Sequence, residues 1–210
     1  MGVNAPDHWP PGAAHNGPRR APLFPLPKIF LYPGVVLPLH IFEPRYRELV
    51  EDLLDRPGWM VISPIKAGFE DQADGEPPVY PVAGVGEIVK HAKLPDGRFL
   101  ITLVGLARVR IKEVTSEAAY REVEFEPLEE ILPSANEGRR LATELRQAIL
   151  ERSPEFLNLP SNLPLTSLSD LLLQNLDLPV DSMSRAFSEP AVAWRAEFAL
   201  NEHRARSPGH

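Results

Sequence analysis

An α+β fold, with the strands in one block and the helices in the next, is what this sequence predicts. Two observations carry the prediction. Up to about residue 130 the apolar residues come in short β-branched or alternating runs broken by Pro, Gly and Asp, the texture of strands and turns. After Pro133 they recur at helical spacing to the end of the chain. Segregated blocks of this kind give α+β architecture rather than the strict alternation of a parallel α/β sheet.

Residues 1–21 hold Pro6, Pro10, Pro11 and Pro18 among Gly, Asn and Ala, with scarcely any periodic apolar residue to bury, and are expected to be a disordered arm. Strands are expected over 23–32, 35–42, 59–65, 79–93, 98–114 and 120–128. Leu94-Pro95-Asp96-Gly97 predicts a hairpin between the fourth and fifth: Pro sets φ, Asp bonds back to the backbone and Gly accepts positive φ. One helix interrupts the strands. Pro44 suits a first-turn position, and Tyr46, Leu49, Val50, Leu53 and Leu54 follow at helical spacing until Pro57-Gly58. Glu43 then stands at the helix entrance, where a carboxylate complements the unsatisfied amides and the positive end of the dipole.

In the second half Ser134 and Glu137 form a capping box ahead of Leu141, Leu145, Ala148 and Ile149. Further helices are expected from about Ser167, with Leu168, Leu171, Leu172 and Leu176, then over 181–187, and over 190–204 with Trp194 and Phe198 on one side. The expected division is an arm over 1–21, a β domain over 22–130, a helical bundle over 131–206 and a tail over 207–210.

Composition narrows the chemistry. A net charge of -7 argues against a surface built to neutralise phosphate, so nucleic acid is not an expected partner. There is no cysteine, hence no disulfide, thiol nucleophile or thiolate metal site. The longest apolar reach, 29–42, is interrupted by Pro33, Gly34, Pro38 and His40 and falls short of the roughly 20 residues that span a bilayer. No stretch reads as a signal peptide, and the cytoplasm is the expected location. His40 and Glu43 make at most two metal ligands, with no HExxH or comparable cluster to complete a site. Gly84-Val85-Gly86 is a fragment of a phosphate loop without a following helix, and it and Gly105 read as a bulge or bend at a barrel corner. No Walker A sequence and no GxSxG nucleophile occur. Arg108, Arg110 and Lys112 alternate along one strand and Glu122, Glu124 and Glu126 along the next, so opposite charges are expected to face one another across an antiparallel pair. His91 beside Lys90 and Lys93, and the segment 70–76, read as solvated surface.

Several stretches, taken in order, are similar to one family. Leu23-Phe24-Pro25-Leu26, Tyr32-Pro33-Gly34 and Leu37-Pro38-Leu39-His40-Ile41-Phe42-Glu43-Pro44-Arg45-Tyr46 resemble the signature of the Lon N-terminal domain, also called the Lon substrate-binding domain. Leu94-Pro95-Asp96-Gly97 resembles its hairpin, and the stretch from Leu103 to Ile111 its following strand. Leu168-Ser169-Asp170-Leu171-Leu172 resembles a helix start of the family, whereas Arg185-Ala186-Phe187-Ser188-Glu189 stands where a Gln-x-Leu-Leu-Glu stretch is usual. The resemblance covers about 22–206. It implies a PUA-like β pseudo-barrel followed by an α-helical bundle. It also implies recruitment of unfolded or tagged proteins, which in full-length Lon proteases precedes an AAA+ ATPase and a Ser-Lys peptidase. With neither module represented, the resemblance implies a stand-alone, non-enzymatic binding protein without cofactor, catalytic residue or metal.

The expected partners are unfolded or partly folded polypeptides, with an ATP-dependent protease or chaperone beside them in an adaptor role, and no membrane. The expected site is an apolar groove with a polar rim between the β domain and the bundle. Phe42, Glu43, Arg45, Tyr46 and Trp59 are the candidate polypeptide-binding residues, each of which also fits a packing or helix-start role. The alternatives are an RNA-binding PUA-like module and a small-molecule-binding domain.

Overall fold

A computed structural model describes residues 19–54 and 58–206; residues 1–18 of the arm expected over 1–21, and the tail over 207–210, lie outside them. The chain divides into two compact units, one ending at Leu128 and one beginning at Glu129.

The first unit holds six strands and one helix in the order β1 (Arg19–Leu26), β2 (Val36–Ile41), α1 (Pro44–Leu54), β3 (Trp59–Pro64), β4 (Val82–Lys93), β5 (Phe99–Val114) and β6 (Glu122–Pro127). β1 starts at Arg19, inside the expected arm, because Arg19 to Pro22 pair with Phe125 to Glu122 of β6. It ends at Leu26 rather than running on to Tyr32, since Pro27 follows and Lys28 takes a positive φ of 58°.

The sheet is mixed, in the order β2-β5-β4-β3-β1-β6, and a further β5–β6 pairing returns it on itself as a pseudo-barrel. It is not a regular barrel, because β5 carries three partners along its 16 residues. One apolar cluster is assembled from the strands of that circuit, with Leu23, Val61, Val85, Val109, Val123 and Phe125 among its buried members. A second gathers Phe24, Leu31, Ile41, Met60, Phe99, Ile101 and Leu103 with Tyr46, Leu49, Val50 and Leu53 of α1. Alternation along β5 from Phe99 to Leu103 thus sends the odd residues into the second cluster and the even ones to the opposite face.

The charge ladder has the expected register: Arg110 faces Glu126 and Lys112 faces Glu124. Arg108 is the exception. It is 3% exposed, with its guanidinium 5.3 Å from the centre of the Tyr32 ring, and so belongs to the interior rather than to a solvated face. In the hairpin, Leu94 N donates to Arg98 O at 2.7 Å, Asp96 Oδ1 accepts from Arg98 N at 3.1 Å, and Gly97 has φ +82°. Gly86 lies at a register shift, the expected bulge. Gly84 and Gly105 do something else. A Cβ on either would sit 2.1 Å from the carbonyl oxygen of Leu31 or Tyr32, so both glycines admit a backbone segment lying across the sheet.

The second unit is helical: α2 (Ala135–Arg152), α3 (Leu165–Gln174), α4 (Val180–Ser188) and α5 (Val192–Arg206). Ser134 caps α2, its Oγ accepting from Glu137 N at 3.4 Å. The buried apolar residues of α2, Leu141, Leu145, Ala148 and Ile149, recur at the predicted spacing. Arg195 is fully buried in α5 and donates to Glu130 at 2.6 Å and to the Glu189 carbonyl at 2.8 Å. Trp194 and Phe198 stack at 5.0 Å, one helical turn apart.

Candidate functional site

The strand-to-helix corner between β2 and α1 carries four of the five predicted residues. The Glu43 carbonyl accepts from the amides of Tyr46 and Arg47 at 3.1 and 3.0 Å, which starts the helix. Its carboxylate is held by Arg45, at 3.0 Å from Nε and 2.8 Å from Nη2. The same guanidinium donates to the carbonyls of Gly75 at 2.7 Å and Ala73 at 3.1 Å and lies 4.5 Å from the Tyr46 ring centre. Arg45 therefore fastens the 70–76 segment, read from sequence as solvated surface, to the helix start; part of that segment is a 3-10 turn, Glu70–Gln72. Tyr46 is buried against Phe24, ring centres 4.2 Å apart, and burial raises its phenol above the ordinary value. These three side chains are brought together, as a structural clasp.

Phe42 behaves differently. It is 60% exposed, and its ring approaches His40 edge-on at 6.1 Å. That contact leads from the corner onto a sheet face that the candidate residues only border. Cross-strand partners share a face, so the registers place His40, Leu100 and Ala92 in one row and Pro38, Thr102 and Lys90 in the next. A third row runs Val36, Val104, Glu87 and Trp59. Trp59 is thus on the same face, two rows from His40, half-buried against the circuit's apolar cluster.

Over the first two rows lies an open cavity of about 500 Å³, lined by Pro38, Leu39, His40, Lys90, His91, Ala92, Leu100, Ile101 and Thr102. Its floor is mostly apolar, Leu100 is 47% exposed, and among the described residues no carboxylate lines it. Sequence reasoning did not foresee this cavity, although Lys90 and His91 are exposed as expected of a solvated surface. The available signal was Leu100 itself: Phe99-Leu100-Ile101 is apolar on both faces of a strand next to a hairpin tip, where one face was expected to be polar. Among the described residues no group of three or more His, Cys, Asp or Glu could hold a metal ion, and no helix is long and apolar enough to cross a membrane.

The fold is α+β: a mixed sheet returning on itself, with an open, mostly apolar cavity on one face, and a second, helical unit. The chain belongs to the family described as the ATP-dependent protease La (LON) substrate-binding domain, which matches residues 20–200. The fold is that of the N-terminal domain of Mycobacterium avium complex Lon protease, with TM-score 0.67 and 14% identity over 90% of this chain and all (100%) of that one. A Lon N-terminal domain protein from Xanthomonas campestris gives TM-score 0.63 and 22% identity over 90% of this chain and 99% of that one. Among full-length relatives, Lon protease 2 of Myxococcus xanthus is 27% identical over 91% of this chain and 24% of its own length. Lon protease 2 of Sorangium cellulosum is 33% identical over 68% of this chain and 17% of its own. The matched part thus spans about a fifth of these proteases.

Proposed function

We propose that this protein recognises unfolded or partly folded polypeptides by their exposed apolar segments. It acts as a non-catalytic adaptor in cytoplasmic protein quality control, beside an ATP-dependent protease or chaperone. The supporting observation is the open apolar cavity of about 500 Å³ on the face of β2, β5 and β4, with exposed Phe42 at its edge. An exposed apolar surface of this kind is a binding signal, and its chemistry suits side chains that a folded client would have buried. The family supports substrate recognition in a Lon-related setting. Of the predicted contact residues, Phe42 and the far-end Trp59 serve as contacts in this reading, whereas Glu43, Arg45 and Tyr46 serve the stability of the helix start and its 70–76 neighbour.

The test is binding of fluorescent, unfolded casein to the wild type and to Leu100→Asp. A charge on this exposed floor residue is expected to weaken binding tenfold or more, equivalent to at least about 1.4 kcal/mol, with the melting temperature unchanged. Equal binding by the two proteins would remove the face from the reading, and no binding by the wild type would end it.

A further inference from the structure

Resting on the reading above, we propose that the face selects extended client segments carrying an apolar side chain and a carboxylate two residues apart. The first support is spacing. Ala92 and Lys90 are two residues apart on β4, and they stand in adjacent cross-strand rows with Leu100 and Thr102 respectively. Side chains two apart in an extended segment project to the same side about 6.6 Å from one another, which is the spacing of those rows. An apolar residue seated over Leu100 and Ala92 therefore brings its neighbour two positions away over Lys90.

The second support is charge complementarity. The chain carries a net charge of -7, yet the titratable side chains on the cavity's open face are Lys90 and His40, His91 standing in the opposite-facing row with Ile101, and among the described residues no carboxylate lines the cavity. Lys90 is exposed, and carboxylates elsewhere on the protein leave this cavity as a local place for an anion on an acidic surface. Glu87, in the row beyond Lys90, closes the site at that end to a further acidic residue. The net charge of -7 attracts basic segments at long range, but Lys90 directly repels a basic residue seated in its row.

The third support concerns how the segment lies. Among the described residues β2 pairs with β5 alone and stands at the end of the strand order, which leaves one edge open to an added strand. Pro38 in the middle of β2 has no amide to donate, a device that discourages edge pairing. The occupant lies on the face rather than along the edge, and recognition comes from side chains.

The test uses short fluorescein-labelled, C-terminally amidated peptides of Ser and Gly bearing one Leu-x-Glu pair, compared with Leu-x-Lys and with Leu and Glu adjacent. Leu-x-Glu is expected to bind at least tenfold tighter than Leu-x-Lys, the gap narrowing with salt, and adjacent Leu-Glu to bind more weakly. Lys90→Glu is expected to reverse the order of Leu-x-Glu and Leu-x-Lys, and N-methylation of the peptide backbone to change little. Equal affinities for the two charges, an order unchanged in Lys90→Glu, or binding that requires a free C-terminal carboxylate would overturn the inference. Unfolded casein measured in parallel separates the two levels. If casein binds and the peptides show no charge preference, this inference falls and the proposed function stands; if casein does not bind, both fall.

Discussion

Arg45 has one guanidinium and four partners: the Glu43 carboxylate, the Ala73 and Gly75 carbonyls and the Tyr46 ring. The carbonyl contacts join residues nearly 30 positions apart in sequence. Arg45→Ala is expected to cost about 1.5 to 3 kcal/mol, the range for hydrogen bonds to a charged group. Glu43→Ala, which leaves both carbonyl bonds in place, is expected to cost no more than about 1 kcal/mol. The double variant should match Arg45→Ala alone, and none of the three should alter polypeptide binding; urea unfolding and casein titration check this. A loss of binding without loss of stability would make Arg45 a contact residue instead. From Glu43-Pro44-Arg45-Tyr46 the helix start was legible, because Pro44 and the spacing behind it are local signals. The reach of Arg45 to Gly75 was not, since nothing in either residue names a partner so far along the chain.

Tyr46 gives a second prediction at this scale. Burial raises its phenol above the ordinary 10.0, with Arg45 acting the other way. The folded state therefore holds the proton more tightly than the unfolded chain. The contribution to stability is complete below the unfolded value and is lost as pH rises from about 10 through the folded value. Urea midpoints followed across that alkaline range should fall more steeply for the wild type than for Tyr46→Phe, and parallel curves would show the ring ionises equally in both states.

Among the elements, β5 joins most of the first unit together, and its glycine is the point where a second layer of backbone crosses it. Gly105 N donates to Val35 O at 2.9 Å, and Gly34 N donates to Gly105 O at 2.8 Å. A Cβ at Gly105 would stand 2.1 Å from Tyr32 O, a backbone atom that cannot swing aside. Gly105→Ala is expected to destabilise by about 1 to 3 kcal/mol or more, as overpacking does, while an alanine at Gly34, where no atom lies within 4 Å, pays only for its φ of +79°. Denaturant unfolding of the two variants orders them. Strand spans came readily from the sequence because alternation and turn residues are local, and β3 and β6 fall within a few residues of their expected bounds. What alternation does not carry is which face of a strand a neighbour covers. That is why Leu39 and Ile101, facing the second cluster, and Pro38 and Leu100, facing the open side, looked alike beforehand.

For the whole molecule the decisive quantity is how its charges are arranged. Nucleic-acid affinity scales with the cations that one surface can lay along a phosphate chain. Here the most regular basic series is answered across the sheet: Glu126 faces Arg110, Glu124 faces Lys112, and Arg20 on β1 reaches Glu124 at 3.1 Å. In the helical unit Arg140 pairs with Glu144 at 2.6 Å, and Arg204 with Glu144 at 2.9 Å. Against a net charge of -7, these arrangements leave little cationic surface to release counterions from RNA. Titration with single-stranded and hairpin RNA at physiological salt is expected to give no sub-micromolar binding and no steep dependence on salt, under conditions where unfolded casein binds. Glu124→Lys and Glu126→Lys together extend the basic series across two strands, and RNA affinity appearing in that double variant would show that the glutamates are what hold it off. Tight, salt-sensitive binding by the wild type would instead mean that a phosphate-binding surface exists elsewhere on the molecule, and the peptide-binding reading would then have to share it.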